Sequence, residues 1–134
     1  MRWLKALPCA QRLSSMALVH ASPSDLWRAP LPDASNEELC EVFGGLETPM
    51  VVYAHIHRPF VREMATMTVA NTGSVSLSYD GDARASYAVV EDGKVEIRRV
   101  EYDVKAEVQA GWRAGLPHGE WVEVCLQAGK FVAP

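Results

Sequence analysis

A chain of 134 residues, 49% hydrophobic and 22% charged, has the balance of a folded protein and is too short for two cores, which excludes a disordered tail and a multidomain array. The net charge of −4 gives no basic excess to release counterions from a nucleic-acid backbone, so nucleic acid is not expected as a partner. Cys9, Cys40 and Cys125 are odd in number and far apart, matching neither a zinc ribbon nor a secreted disulfide framework; they are read as buried apolar side chains in a reducing cytosol.

The opening "MRWLKALPCA" has no continuous apolar stretch before Gln11-Arg12, so a signal peptide is not expected. No apolar run approaches the roughly 20 residues of a membrane span, and the expected setting is the cytoplasm without a membrane partner. Residues 3–7, "WLKAL", read as the tail of a helix stopped by Pro8. "AQRL" and "MALVH" flank Ser14-Ser15 as a short β-pair whose second member ends at His20. The proline-rich "ASPSDLWRAPLPDA" follows as a loop.

Ser35 and Glu38 have the S-x-x-E spacing of a capping box, which predicts a helix running to Phe43. Gly44-Gly45 is expected to supply the left-handed residue that ends it, and "MVVYA" then reads as a strand buried on both faces. "FVREM" and "MTVA" are short strand candidates turning at Ala65-Thr66. "NTGS", residues 71–74, is a loop in which Gly73 can take a positive φ. "RASYAVVEDGKVEIRRVEYD" is a hairpin, because Asp92-Gly93 between alternating β-rich runs suits a type I′ turn; Arg98-Arg99 is read as a solvated strand edge. From Val104 onward, apolar residues at helical spacing predict two terminal helices separated by Pro117.

His55 and His57 stand at the end of the "VVYA" strand, where i and i+2 on an extended backbone project to one side. Neutral imidazole binds Zn, Mn, Fe, Ni and Co, yet an isolated H-x-H is equally compatible with two hydrogen-bonded histidines closing a strand. His20 adds weight to the metal reading, because it also ends an apolar strand and could bring three histidines to one sheet edge. His118, in "GLPHGE", reads as an exposed turn residue, and Trp3, Trp27, Trp112 and Trp121 read as packing groups. A cupin barrel also carries H-x-H, but Glu63 is too distant from His57 for its motif.

The order "LVHASP", capped helix, "VVYAHIHRPF", "VANTGSVSLSYDGDARASYAVV" and "VEYD" resembles the carboxyl-terminal part of the calcineurin-like metallophosphoesterases, in their compact single-domain branch. That branch shows His-Gly-Ser-Pro, then Gly-His-Thr-His-x-Pro, then Asn-Pro-Gly-Ser, and the likeness runs from about Leu4 to the end. It implies an α/β (α+β) fold: part of an αββα sandwich, with a mixed sheet and flanking helices, forming one domain over residues 1–134 that is truncated at its amino-terminal side.

The resemblance further implies phosphomono- or phosphodiester hydrolysis at a dinuclear site of divalent ions, Mn, Fe, Ni or Zn. Two ions about 3.5–4 Å apart stabilise the attacking and leaving oxygens of an in-line displacement. By the same resemblance, His20 and His55 look like ligands of one ion and His57 of the other, while Asn71, Gly73 and Ser74 look like site-shaping loop residues. The family's Asp-x-His, Gly-Asp and Gly-Asn-His-Asp/Glu motifs precede the matched segment and are not in this chain. Three neutral histidines cannot offset two adjacent dications, so at most one weakly held ion is expected here.

Ala21 and Ala54 replace family glycines, Ile56 a threonine and Thr72 a proline, so these loops are expected to bend differently or carry strain. Elements that lack half a sandwich should expose apolar surface, which predicts self-association or a partner chain over the open sheet face. The alternative is a catalytically inactive remnant serving as an interaction or oligomerisation module.

Overall fold

The computed structural model describes residues 2–134; Met1 and the Leu4 side chain, part of the expected opening helix tail, lie outside the described residues. Helix α1, Arg2–Lys5, is a single turn, shorter than the expected tail. Strands β1 (Ala10–Leu13) and β2 (Met16–Val19) form the expected antiparallel pair around Ser14-Ser15, with Ala10 opposite Val19.

Helix α2, Asn36–Phe43, starts where the capping box predicts, with the Glu38 amide donating to Ser35 Oγ at 3.1 Å. Its end departs from expectation. Gly44 is right-handed at φ −58° and opens a 3₁₀ turn, Gly44–Leu46, that prolongs the helix; the left-handed residue is Glu47, at φ 49°. The buried Leu46 side chain explains the extra turn, since packing it into the core requires the chain to keep winding past both glycines.

Strand β3 (Met50–Tyr53) pairs parallel with β2 and with β5 (Thr68–Asn71), while β4 (Phe60–Glu63) pairs antiparallel with β5 at the far edge. The strand order is β1-β2-β3-β5-β4, so the five-stranded sheet is mixed, with its parallel strands at the centre. All four β3 side chains are buried, because Val51 and Tyr53 face Leu39 and Phe43 of α2 while Met50 and Val52 face the other side with Ala70 and Val95. That two-sided burial is what a continuously apolar strand encodes.

Strands β6 (Ala85–Glu91) and β7 (Lys94–Val100) form the expected hairpin, and Asp92 and Gly93 take φ 50° and 73°, the two positive values of a type I′ turn. Helices α3 (Val104–Arg113) and α4 (Gly119–Ala128) pack together, with Asp103 capping the first through the Ala106 amide at 3.0 Å. His118 enters α4 in the left-handed region at φ 56° and is exposed, as a turn residue should be.

Three expectations about side chains fail. Cys9 and Cys40 are exposed and Cys125 alone of the three is buried, because Cys9 lies beyond the edge strand and Cys40 on the outer side of α2. Trp3 and Trp27 are 72% and 81% exposed, so neither packs into a core. Arg99 is no solvated edge group: its side chain is 16% exposed and pairs with Asp80, while its neighbour Arg98 points outward to Glu96 at 2.9 Å. Period-2 alternation on β7 puts adjacent residues on opposite faces, which separates the two arginines.

Candidate metal centre

Strands β2, β3 and β5 are parallel neighbours, so their carboxyl ends share one edge. His20 follows Val19 on the first, Ala54 to His57 follow Tyr53 on the second, and Asn71 to Ser74 close the third. The sheet thus gathers His20, His55, His57, Asn71, Gly73 and Ser74 at the edge where open α/β sheets place ligands.

The local backbone differs from the extended segment expected for H-x-H. β3 ends at Tyr53, and His55 and His57 both adopt left-handed conformations, at φ 64° and 56°. The chain winds tightly here: the Ala54 amide donates to the His20 carbonyl at 3.0 Å and the Ile56 amide to the Ala54 carbonyl at 2.7 Å. Ala21 and Ala54 are absent from the positive-φ residues, so the strain expected at those alanines falls instead on the two histidines.

Hydrogen bonds decide which imidazole nitrogen is free. His55 Nε2 lies 3.0 Å from the Trp27 carbonyl, which can only accept, so Nε2 carries the proton and Nδ1 keeps a lone pair. That Nδ1 faces His20 Nε2 at 3.2 Å, with the rings edge to face. His57 Nδ1 donates to the Leu77 carbonyl at 2.7 Å, which leaves Nε2 as its unprotonated nitrogen. Loss of surrounding water, then the neighbouring His55 and His57, hold the His20 imidazole below its ordinary value.

Sequence reasoning missed how His57 is held. The Tyr79 ring stacks on the imidazole at 4.9 Å between centroids, and the Tyr79 amide donates to the His57 carbonyl at 3.0 Å. The loop carrying Leu77 and Tyr79 is tied to β7 by the Arg99–Asp80 pair and by Arg99 Nη1 donating to the Asp82 and Arg84 carbonyls at 3.3 and 3.4 Å. Asp82 itself forks onto Arg84 at 2.6 Å, which holds its carboxyl well below the usual range. The "DGDAR" run carried this signal, acids and a base packed into one loop, but its partner Arg99 is distant in sequence.

Asn71 is fully buried and spans the edge. Its Nδ2 donates to the Ala54 carbonyl at 2.5 Å and its Oδ1 accepts from the Gly73 amide at 2.9 Å, fixing the β3 and β5 termini to one another. Gly73, at φ 72°, lies so close to Ser86 that an added Cβ would sit 2.7 Å from its Oγ. Ser74 meets the hairpin as well, its carbonyl accepting from the Ser86 amide at 2.8 Å.

The pair His20–His55 fits one ion. Bonds of about 2.0–2.1 Å at a tetrahedral angle set two donor nitrogens roughly 3.3 Å apart, close to the 3.2 Å between His20 Nε2 and His55 Nδ1. The Trp27 and Leu77 carbonyls do for His55 and His57 what outer-shell acceptors do for metal-bound imidazoles, fixing tautomer and ring orientation. Among the described residues, however, no three His, Cys, Asp or Glu side chains gather as a metal-holding group. The donor set fits part of one ion's shell and lacks the carboxylates that a pair of ions requires.

Comparison with known proteins assigns the architecture. No family model matches the chain. An uncharacterized protein of Methanocaldococcus jannaschii is 29% identical over 130 residues, which span 83% of this chain and 50% of that protein. The crystal structure of a metallophosphoesterase from Sphaerobacter thermophilus superposes with a TM-score of 0.82 at 26% identity, over 96% of this chain and 62% of that one. That likeness in fold and sequence supports the calcineurin-like metallophosphoesterase family that the motif order resembles. The crystal structure of a hypothetical protein from Pyrococcus horikoshii also superposes, with a TM-score of 0.80 at 22% identity over 98% of this chain and 54% of that one. The chain thus spans half to three fifths of the length of the relatives it matches. The mixed sheet with flanking helices is the metallophosphoesterase arrangement that the motif order implied.

Proposed function

We propose that this chain is the histidine-bearing part of a metal-dependent hydrolase of phosphomono- or phosphodiesters. The observation that carries the reading is the 3.2 Å approach of His20 Nε2 to His55 Nδ1 at the shared carboxyl edge of β2 and β3, beside His57. Divalent ions, when bound, supply an activated hydroxide and charge stabilisation for the displacement. This chain's own contribution is positional: His20 and His55 offer two nitrogens to one ion, His57 offers Nε2, and Asn71 locks the two strand ends that present them. The carboxylates that a second ion demands come, in this proposal, from residues outside the 134-residue sequence, on the same chain or a partner.

Calorimetric titration of the EDTA-treated chain with Mn²⁺ or Zn²⁺ tests the reading. One weakly held ion per chain, lost in His55→Asn, is the expected result; a folded protein that binds neither ion overturns it. Turnover of bis-p-nitrophenyl phosphate is expected only when the missing acids are supplied. No helix among the described residues is long and apolar enough to cross a membrane. The three free cysteines favour a reducing compartment in this reading.

A second reading is an interaction or oligomerisation module without catalysis. It is favoured by the absence, among the described residues, of a complete donor group, and by large exposed side chains such as Trp3, Leu7 and Leu13 near the β1 edge. Sedimentation at micromolar concentration tests it, through self-association in the absence of metal.

A further inference from the structure

Trp27 is 81% exposed although its loop is firmly built. Asp25 Oδ1 accepts from the Trp27 amide at 2.7 Å and from the Arg28 amide at 3.1 Å. Ser22 Oγ both donates to the Asp25 carbonyl and accepts from the Asp25 amide, and the Pro30 carbonyl accepts from the buried Tyr53 hydroxyl at 2.7 Å. The indole stands edge to face with the His55 ring at 6.4 Å, and its own main-chain carbonyl orients that imidazole. A large aromatic held open to water by this many bonds, instead of folding down onto apolar neighbours, is a surface kept for contact.

A groove of about 430 Å³ is lined by Leu7, Pro8, Leu18, His20 and Trp27's chain neighbour Leu26, and its His20 ring meets the same His55 ring that Trp27 does. Among the described residues, no carboxylate, lysine or arginine lines it. Its apolar lining therefore complements a neutral ring, while a divalent ion held by His20 and His55, as the phosphoesterase reading has it, would draw an anionic group.

We infer that Trp27 and the adjoining Leu26 groove form a subsite for a planar aromatic group carried on a phosphate, a nucleobase or an aryl ester, whose phosphate is directed to the His20–His55 end. This inference rests on the phosphoesterase reading for the phosphate and on Trp27 for the ring. Stacking on an exposed indole requires only a π-face, so it selects for planarity over a particular hydrogen-bond pattern, and is worth roughly tenfold in affinity.

The test follows the four indole N–H resonances of the ¹⁵N-labelled chain, with Trp27 assigned through Trp27→Phe, during titration with adenosine, AMP, ribose 5-phosphate and p-nitrophenyl phosphate. AMP is expected to shift the Trp27 signal and to bind roughly tenfold more tightly than ribose 5-phosphate, and Trp27→Ala to bring that ratio to about one while Trp27→Phe keeps most of it. A response to p-nitrophenyl phosphate equal to that of AMP assigns the subsite to aryl groups in general; a response to AMP alone assigns it to nucleobases. Equal affinities for AMP and ribose 5-phosphate overturn the inference, as does a Trp27 signal that moves with protein concentration instead of ligand, which assigns the surface to a second copy of the chain. Adenosine binding as tightly as AMP, with Trp27 still shifting, leaves the aromatic subsite in place and overturns the phosphoester reading.

Discussion

The Tyr79 ring lies over the His57 imidazole with centroids 4.9 Å apart and planes inclined by 25°, while the Tyr79 amide holds the His57 carbonyl. One residue thus fixes both the backbone and the ring of a candidate ligand. Replacing it by leucine keeps bulk and the amide bond but removes the stack, so Tyr79→Leu is expected to cost about 1 kcal/mol in urea unfolding. Tyr79→Phe is expected to match the wild type, since the stack needs only the ring. Equal losses in the two variants would locate the effect in the hydroxyl.

Arg99 and Arg98 are adjacent and differ in burial. Arg99 reaches Asp80 and the Asp82 and Arg84 carbonyls from a mostly buried position, so Arg99→Ala strands those acceptors and is expected to cost about 2–3 kcal/mol. Arg98→Ala removes a solvent-exposed pair with Glu96 and is expected to leave the unfolding midpoint unchanged. Because the Arg99 contacts carry the loop that holds His57, Arg99→Ala should also broaden the His57 imidazole signals in NMR.

Gly73 and Gly93 share a positive φ, at 72° and 73°, in opposite surroundings. A Cβ on Gly93 meets nothing within 4 Å, so Gly93→Ala is expected to cost only the left-handed penalty, about 1 kcal/mol. On Gly73 it meets Ser86 Oγ at 2.7 Å, Ser86 Cβ at 2.8 Å and Pro59 Cβ at 3.0 Å, and Gly73→Ala is expected to cost about 2–4 kcal/mol. Chemical denaturation of the two variants side by side checks the difference.

Folding depresses the proton affinity of His20 below its ordinary 6.5, so below that pH the unfolded chain binds more protons than the folded one. The stability contributed by neutral His20 is complete above 6.5 and is lost as pH falls through the lowered folded value. Urea midpoints measured in EDTA are expected to decline on acidification from 6.5, and His20→Asn to flatten that decline. A midpoint insensitive to this replacement would assign the acid loss to other groups.

Strand and helix identities were legible because each rests on a local rule. The Asp92-Gly93 turn and the apolar "MVVY" run formed as read, and the helix starts at the Ser35 cap, though only the Ser35 half of the capping box is seen among the described residues. The helix end at Gly44-Gly45 was misread because burial of Leu46, a tertiary effect, outweighed the glycines' freedom to turn left. The gathering of His20, His55 and Asn71 on one edge was legible from strand ends and motif order. The left-handed histidines and the Arg99 tie were not, since each depends on a partner loop far along the chain.

The parallel register that sets Ala17 beside Val51 has a kinetic consequence. The β6–β7 hairpin closes through a two-residue turn, whereas the β2–β3 pairing must wait for the long proline-rich segment and α2 to loop back, an entropic delay that local contacts do not face. His20 and His55 therefore meet late in folding, and pulse-labelled amide exchange should show protection at Glu96 and Arg98, which stand in hydrogen-bonded pairs with Val89 and Tyr87, before it appears at Ala54, whose amide bonds the His20 carbonyl.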